Sequence, residues 1–268
     1  MSQLEAGGVL GSIVDAVRDR LGANPPVAGL EARAREGAGV RRRGGVRSLR
    51  EALCAPGIRV IAECKRRSPS AGWLRQPFEP FDLARSYEAG GAAAVSVVTE
   101  AQFFAGQPGW VPVVRQQVTL PVLQKDFLIS TRQLFEAVLL GADAVLLIAR
   151  LLPGALLTEM LTLAGELELE VLLEIHDEAD LDRAMASPAS VIGINARDLR
   201  TFTVDLGAAA RLAERVTPGR VVVIESGISG PGSVRALATR GLRQFLVGEH
   251  LLRAPDPAAA LAELVACE

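Results

Sequence analysis

The stretch that decides the fold reads Ile61-Ala62-Glu63-Cys64-Lys65-Arg66-Arg67-Ser68-Pro69-Ser70, an apolar strand followed by charge and then by a Ser-Pro-Ser turn. Side chains alternate along a strand, so Glu63 and Lys65 share one face and Cys64 lies on the other. A carboxylate and an ammonium group together at a strand end are costly to desolvate, which favours a site where charge acts on a substrate. A structural ion pair is the alternative interpretation.

The same design recurs along the chain, which favours the functional interpretation. Four more apolar runs end on a polar residue: 121–124 before Lys125, 171–173 before Glu174, 191–194 before Asn195, and 221–224 before Glu225. Three further runs of similar length complete a set of eight: 93–98, 142–148 and 243–247. Continuous apolar runs are typical of strands covered on both faces, as in a parallel sheet.

Segments with helical periodicity separate these strands, for example 130–140, 152–163 and 208–215. A strand-helix unit therefore recurs about every 20 to 35 residues, and eight units predict an α/β fold, the (β/α)8 TIM barrel, whose usual size is roughly 250 residues. An open doubly wound sheet is the competing arrangement, but it rarely carries functional polar groups at so many strand ends. In a barrel these ends all meet at one mouth.

Composition agrees with one enzyme-sized domain. The chain has 268 residues, 49% of them hydrophobic, and can bury a large core without disulfides or metal. A net charge of −2 gives no general attraction to nucleic acid or membrane. Cys54, Cys64 and Cys267 are odd in number and widely spaced, which suits a reducing compartment. With no signal-like or membrane-spanning run, we expect a cytoplasmic protein.

The first residues do not follow the barrel repeat, and we expect 1–48 to form a helical extension on the mouth of a barrel domain spanning 49–268. One helical face of the extension carries Leu10, Ile13, Val14, Val17 and Leu21. A Gly- and Arg-rich region follows, with Arg33, Arg35, Arg41, Arg42, Arg43, Arg47 and Arg50. No aromatic residue interleaves these arginines, so we interpret the region as a solvated, partly mobile connection rather than a nucleic-acid surface. Electrostatic steering of an anionic substrate is a further option.

Phosphate recognition is predicted near the end of the chain. The seventh strand ends in Ser226-Gly227-Ile228-Ser229-Gly230, and the eighth ends in Gly248-Glu249 before a short apolar helical start. Glycines let backbone N–H groups approach an anion, and a helix beginning there adds its positive dipole end. Barrels often bind phosphate with the loops after strands seven and eight.

Taken in order, the strand-end motifs resemble those of the indole-3-glycerol phosphate synthase family. The resemblance runs from about Leu49 to the C-terminal helix, and the family also carries an additional helix before the barrel. The motifs that carry it are 61–65 with Ser68-Pro69-Ser70, 96–100, Lys125-Asp126-Phe127, 141–148, Glu174-Ile175-His176, 192–199 and 225–228.

The resemblance implies conversion of 1-(2-carboxyphenylamino)-1-deoxyribulose 5-phosphate into indole-3-glycerol phosphate, with loss of carbon dioxide and water and without cofactor or metal. It implies that Lys125 is the general acid for ring closure and Glu174 a base or electrostatic partner. It implies that Glu63 stabilises cationic intermediates and takes part in proton transfer. Lys65 should contact the substrate carboxylate and serve as a possible acid in the dehydration.

The remaining site residues follow from the same resemblance. Asn195 would hold a substrate hydroxyl or orient the charged groups, and Arg197 could bind the anthranilate carboxylate. The expected phosphate cradle consists of Ser226, Gly227, Gly248 and Glu249, with Ser68 and Ser70 nearby. Ser226 is also expected to be a catalytic residue. Many family members have Ser in place of Glu249, so its carboxylate should turn away from the anion.

Other candidate groups are expected to have lesser roles. His176 and His250 are interpreted as structural or solvent-facing, because neither accompanies a nucleophile. Trp73, Phe103 and Phe104 are candidates for the aromatic part of the site.

The expected partner is a phosphorylated small-molecule substrate, without nucleic acid or membrane, and the expected state is a monomer or weak homodimer. Two alternatives stay open. One is a related phosphosugar isomerase barrel that uses a Cys/Asp pair, and the other is a catalytically silent barrel that only binds.

Overall fold

Eight parallel strands close into a barrel in the computed structural model, which describes residues 8–44, 46–198 and 201–267. The strands are β1 (Arg59–Cys64), β2 (Ala94–Val98), β3 (Val122–Lys125), β4 (Ala144–Ile148), β5 (Glu170–Ile175), β6 (Val191–Asn195), β7 (Val221–Glu225) and β8 (Gln244–Val247). β8 pairs with β1, with Gln244 opposite Arg59 and Val247 opposite Ala62, and this pairing closes the sheet. The predicted barrel and its eight strands are confirmed.

The described helices fall into three groups. Three precede the barrel: α1 (Val9–Ala23), α2 (Leu30–Gly44) and α3 (Leu49–Cys54). Seven connect the strands: α4 (Pro80–Ala89), α5 (Trp110–Gln117), α6 (Thr131–Leu140), α7 (Gly154–Glu166), α8 (Glu178–Met185), α9 (Leu206–Ala213) and α10 (Pro231–Ala238). Two follow β8: α11 (Glu249–Arg253) and α12 (Pro257–Val265). A 3-10 turn spans Ala149–Leu151, and a hairpin pairs Arg67–Ser68 with Gly72–Trp73.

Local capping chemistry sets the ends of these helices. Ser130 and Gln133 form a reciprocal capping box at the start of α6, and Gly141 ends that helix in the left-handed conformation. The side chain of Asp205 accepts from the backbone N–H of Ala208 and starts α9 two residues before the predicted position. None of the described helices combines the length and apolar character needed to cross a bilayer.

The barrel interior is apolar at its base and charged at its mouth. Inward-facing side chains such as Ile61, Leu123 and Leu172 belong to one buried cluster, while Cys64 packs outside the sheet. α3 closes the base: Leu49 and Leu53 are fully buried there. In the part of the chain that the structure describes, the end left open to a substrate is the mouth, where the carboxyl ends of the strands meet, as in other barrels of this type.

The Gly- and Arg-rich region is a packed helix over residues 30–44, so its interpretation as a solvated connection is wrong there. Arg41 lies 3.4 Å from Oδ1 of the fully buried Asp143, and Arg115 lies 3.1 Å from the same oxygen. The guanidinium of Arg47 donates to the carbonyls of Arg115 and Leu120, both at 3.1 Å. A buried carboxylate far along the sequence therefore holds this segment. Arg33, Arg35 and Arg50 are exposed as expected, whereas the side chains of Arg42 and Arg43, and Leu199 of the sixth motif, lie outside the described residues.

α1 lies against the barrel mouth. Its residues Ile13, Val14 and Val17 are buried. Arg20 forms an ion pair with Asp126 at 3.7 Å, and Arg132 donates to the carbonyl of Leu21 at 3.2 Å. These contacts hold the helix over the loops that follow β3. The division of the chain at residue 48 stays a prediction.

Candidate active site

A cavity of about 500 Å³ opens at the mouth of the barrel. It is lined by all twelve residues that the sequence proposes for the site: Glu63, Lys65, Ser68, Ser70, Lys125, Glu174, Asn195, Arg197, Ser226, Gly227, Gly248 and Glu249. Alternation along the strands places the ends of β1, β3, β5, β6 and β7 on the inner face. The structure thus brings together residues that are far apart in sequence.

Lys125 lies at the centre of three carboxylates. Its Nζ is 3.6 Å from Glu225 Oε2, 3.7 Å from Glu174 Oε2 and 3.9 Å from Glu63 Oε2. Burial lowers the pKa of Lys125, but the carboxyl groups of Glu225, Glu174 and Glu63 outweigh burial and raise that pKa above its ordinary value. Lys125 is therefore an ammonium group at neutral pH, with a proton to donate.

Glu63 and Lys65 form a second charged pair on the same face. Lys65 Nζ donates to Glu63 Oε1. Burial raises the pKa of Glu63, but Lys65 and then Lys125 lower it, and the net pKa lies below the ordinary value. A Cβ at Gly248 would lie 2.5 Å from Glu63 Oε1, so this glycine also makes room for the carboxylate.

Glu174 is held on two sides. Asn195 Nδ2 donates to its Oε1 at 3.2 Å, and His176 Nε2 lies 3.1 Å from the same oxygen. Burial raises the pKa of Glu174, but Lys125, His176 and Asn195 together lower it to about 2. His176 is buried rather than solvent-facing, because its imidazole fills the space behind this carboxylate.

Glu225 is a site residue that the sequence reasoning left out of its candidates. Its side chain is buried, and neither carboxylate oxygen accepts a hydrogen bond from the residues that the structure describes. Burial and the charge of Glu174 raise the pKa of Glu225 to about 8, against the attraction of Lys125. Gly193 is the sequence signal: a Cβ there would lie 2.1 Å from Glu225 Oε1. A glycine within an apolar strand marks such a close approach.

The positions of the lysines are a second feature of the sequence that points to the site. Of the 29 lysines and arginines in the chain, two are lysines, and both of them, Lys65 and Lys125, line the cavity. A guanidinium keeps its proton throughout the ordinary pH range, whereas an ammonium group can pass its proton to a reacting atom. The two lysines of the chain therefore both lie at the mouth of the barrel.

One end of the cavity is apolar. Phe104 and Phe127 lie with ring centroids 6.0 Å apart, and Leu10 and Ile13 of α1 line the same cavity. The Glu100 carboxylate accepts from three consecutive backbone N–H groups, at residues 102 to 104, and so fixes the loop that carries Phe104. Phe103 is absent from the lining. Trp73 is absent too, since it is 49% exposed and stacks with Arg66 and Arg67.

The opposite end carries the glycine-rich turns. Ser226 and Gly227 both have positive φ, at 65° and 81°, in the turn after β7. α11 begins at Glu249, directly after Gly248. Glu249 Oε1 accepts from Arg253 Nε at 3.0 Å, so its carboxylate points along α11 and away from the first turn, as expected. A helix start of this kind has backbone N–H groups without partners inside the helix, and such groups can bind an anion.

The serines after β1 and the loop after β6 complete the lining. Ser68 Oγ lies 3.4 Å from Ser70 Oγ. Arg197 donates from its guanidinium to the carbonyl of Phe202 at 3.2 Å, and it pairs with Val204. Val204 packs on Gly227, since a Cβ at Gly227 would lie 2.5 Å from it. The loop that carries Arg197 thus adjoins the glycine-rich end.

Comparison with known proteins assigns the chain to a family. The family model for indole-3-glycerol phosphate synthase matches residues 13–264. The chain belongs to the indole-3-glycerol phosphate synthase family. The match begins inside α1, so the family pattern includes part of the extension as well as the barrel.

Relatives named indole-3-glycerol phosphate synthase cover most of the chain. The protein from Aromatoleum aromaticum is 45% identical over 219 residues, which is 82% of this chain and 84% of that protein. Indole-3-glycerol phosphate synthase 2 from Streptomyces coelicolor is 47% identical over 219 residues, covering 82% and 85%.

More distant solved structures share the fold alone. A 3-hexulose-6-phosphate synthase aligns with a TM-score of 0.65 at 17% identity, covering 78% of this chain and 99% of that one. Thiamine phosphate pyrophosphorylase from Pyrococcus furiosus aligns with a TM-score of 0.61 at 18% identity, covering 81% and 96%.

Proposed function

We propose that this chain is a carboxy-lyase of tryptophan biosynthesis that converts 1-(2-carboxyphenylamino)-1-deoxyribulose 5-phosphate into indole-3-glycerol phosphate. The observation that carries the proposal is the Lys125 ammonium group between Glu63, Glu174 and Glu225, inside a cavity of about 500 Å³. Its volume is in the range of small-molecule sites.

The two ends of the cavity suit the two ends of this substrate. The aromatic ring fits the apolar end near Phe104 and Phe127, and the phosphate fits the turns at Gly227 and Gly248. Arg197 adjoins the glycine-rich turn through Val204, which favours a role at the phosphate over a role at the anthranilate carboxylate. The reacting carbon atoms then lie between the ends, beside Lys125.

Ring closure needs a proton donor. The ring carbon that bears the carboxylate attacks the ketose carbonyl carbon, and the carbonyl oxygen takes the proton of Lys125 and becomes a hydroxyl group. Carbon dioxide then leaves from the same ring carbon, and its bonding electrons return to the ring. Glu63 and Glu174 stabilise the positive charge that the nitrogen carries in the cationic intermediate.

Dehydration needs an acid and a base. The hydroxyl group takes a proton and leaves as water, and a carbon-bound proton is lost to a base to complete the indole. Lys65 is suited to be the acid because its ammonium group lies in the cavity, where it donates to Glu63, and the Glu63 carboxylate is placed to take the carbon-bound proton as the base. Glu225, with its pKa raised to about 8, exchanges protons near neutral pH and is a further candidate for restoring the proton of Lys125.

The isomerase alternative fits the site less well. It calls for a Cys/Asp pair, but Cys64 packs outside the barrel, and burial raises the pKa of its thiol well above the ordinary value. The monomer or weak homodimer and the cytoplasmic location stay predictions of the sequence.

Indole-3-glycerol phosphate fluoresces, so its formation gives a direct test. Purified protein with the substrate should give a fluorescence increase and one equivalent of carbon dioxide per product. The Lys125→Met variant should lose most of both signals. Tight binding of substrate without product would favour a silent binding barrel, and consumption of substrate without carbon dioxide would favour the isomerase.

A further inference from the structure

We propose that His176 is a positioning residue that fixes and charges Glu174 through a buried Asp180–His176–Glu174 chain. The inference rests on the proposed function, because it gives a part to Glu174. His176 Nε2 lies 3.1 Å from Glu174 Oε1, and Nδ1 lies 3.7 Å from Asp180 Oδ2. The side chains of all three residues are no more than 5% exposed.

Asp180, at the end of this row of three side chains away from the cavity, is held by several contacts. Asp180 lies in the first turn of α8, where its backbone N–H donates to the cap residue Asp177. Its Oδ2 accepts from Arg150 Nε at 2.8 Å and from the backbone N–H of His176 at 3.1 Å. These two donors hold the carboxylate beside the Nδ1 edge of the imidazole, at 3.7 Å. Through Arg150 and Asp180, the 3-10 turn after β4 and the first turn of α8 thus help to position His176.

The contacts of Glu174 determine which of its two carboxylate oxygens faces Lys125. Its Oε1 is occupied by Asn195 at 3.2 Å and by His176 at 3.1 Å. Only Oε2 is left for Lys125, at 3.7 Å. By contacting Oε1, His176 and Asn195 orient the Glu174 carboxylate so that Oε2 faces Lys125.

The charge of His176 follows from the groups that face it. These are Glu174 at the end of β5, Asp180 on α8 and Arg150 in the 3-10 turn. Burial lowers the pKa of His176, but the close carboxylates of Asp180 and Glu174 outweigh burial and Arg150 and raise that pKa to about 9. Glu174 therefore lies between two cations at neutral pH, His176 and Lys125. This favours Glu174 as an electrostatic partner over Glu174 as a base.

Histidine labelling gives a test that does not depend on activity. The chain has two histidines, so ring-¹⁵N-labelled protein shows two imidazoles, and the His176→Gln variant identifies the signal of His176. We expect His176 to titrate near pH 9 and to shift down by at least one pH unit in the Glu174→Gln variant. A titration at or below pH 7, or no response to Glu174→Gln, would overturn the inference.

Kinetics distinguish positioning from mere structural support. His176→Gln keeps a donor but loses the charge, and we expect kcat to fall about tenfold with KM little changed. His176→Phe loses both, and we expect about a hundredfold fall together with a new acidic limb in the kcat–pH profile as the pKa of Glu174 rises.

Arg183→Gln is the matched control, because Arg183 links α8 to the carbonyl of Ala149 without contacting His176. It should leave the pH profile unchanged. If the His176 variants are folded and behave like Arg183→Gln, the inference is wrong while the proposed function stands. If wild-type protein forms no indole-3-glycerol phosphate, the proposed function fails, and the labelling experiment still reports on the buried chain.

Discussion

Replacing Glu225 by Gln should make the protein more stable, and increasingly so as the pH rises. Glu225 is buried among Glu174 and Glu63, and its pKa is raised to about 8 from the ordinary 4.5. The folded protein therefore holds a proton that the unfolded chain has already released. Above the unfolded pKa this difference lowers stability, and the loss grows until the pH reaches the folded pKa. Gln has nearly the same shape and does not titrate.

The magnitude follows from the two pKa values. One pKa unit corresponds to about 1.4 kcal/mol, so pKa values of 4.5 and about 8 make the cost of Glu225 grow by about 3 kcal/mol between pH 5.5 and 8.5. A change of this size is a large part of a typical folding free energy. We expect the Glu225→Gln variant to gain about this much relative to wild type over the same interval.

Urea unfolding followed by circular dichroism at pH 5.5, 7.0 and 8.5 measures the difference between the two proteins. Glu63→Gln is the matched control, because Glu63 is equally buried but its pKa is lowered. Its carboxylate stabilises the fold above its ordinary pKa, so this variant should be destabilised by a nearly constant amount across the interval. A Glu225→Gln difference that stays flat between pH 5.5 and 8.5 would refute the reasoning, since Glu225 would then ionise as an ordinary carboxyl group.

Three further predictions concern catalysis and substrate binding. Lys125→Met keeps the length of the side chain but removes its proton, so kcat should fall by about 10²- to 10⁴-fold with KM altered much less, and turnover within tenfold of wild type would point to Lys65 as the donor. Gly193→Ala places a Cβ 2.1 Å from Glu225 Oε1, so kcat and Tm should both fall, and unchanged kcat would show that Glu225 can move without cost. Deleting residues 1–28 removes α1 from the apolar end while leaving α2, so KM should rise about tenfold with a small change in Tm. An unchanged kcat/KM would make α1 a stability element only.

The deletion is placed before α2 for a structural reason. α2 supplies Arg41 to the fully buried Asp143, so a cut at about residue 45 would leave that carboxylate with one partner fewer in the core. Loss of activity after the longer deletion would then report on folding as well as on the mouth.

Short-range patterns in the sequence determined the barrel and most of the site. A strand buried on both faces needs an unbroken apolar run. The polar residue at which each run ends, such as Lys125 or Glu174, is therefore visible in the sequence. Alternation along β1 assigns Glu63 and Lys65 to the inner face and Cys64 to the outer one. Helix ends follow from residues within one turn, such as Ser130 with Gln133.

Only the tertiary structure decided which charges meet and how they ionise. Arg41 and Asp143 are about a hundred positions apart, and no periodicity connects them. In the sequence, Glu225 is one more polar residue at a strand end, and only the structure shows that it is buried with Glu174 and Lys125. In the sequence, His176 is a loop residue, and only the structure places it between Asp180 and Glu174. Periodicity and capping depend on neighbours within a few residues, whereas burial and Coulomb interactions depend on distances that exist only after β8 has paired with β1.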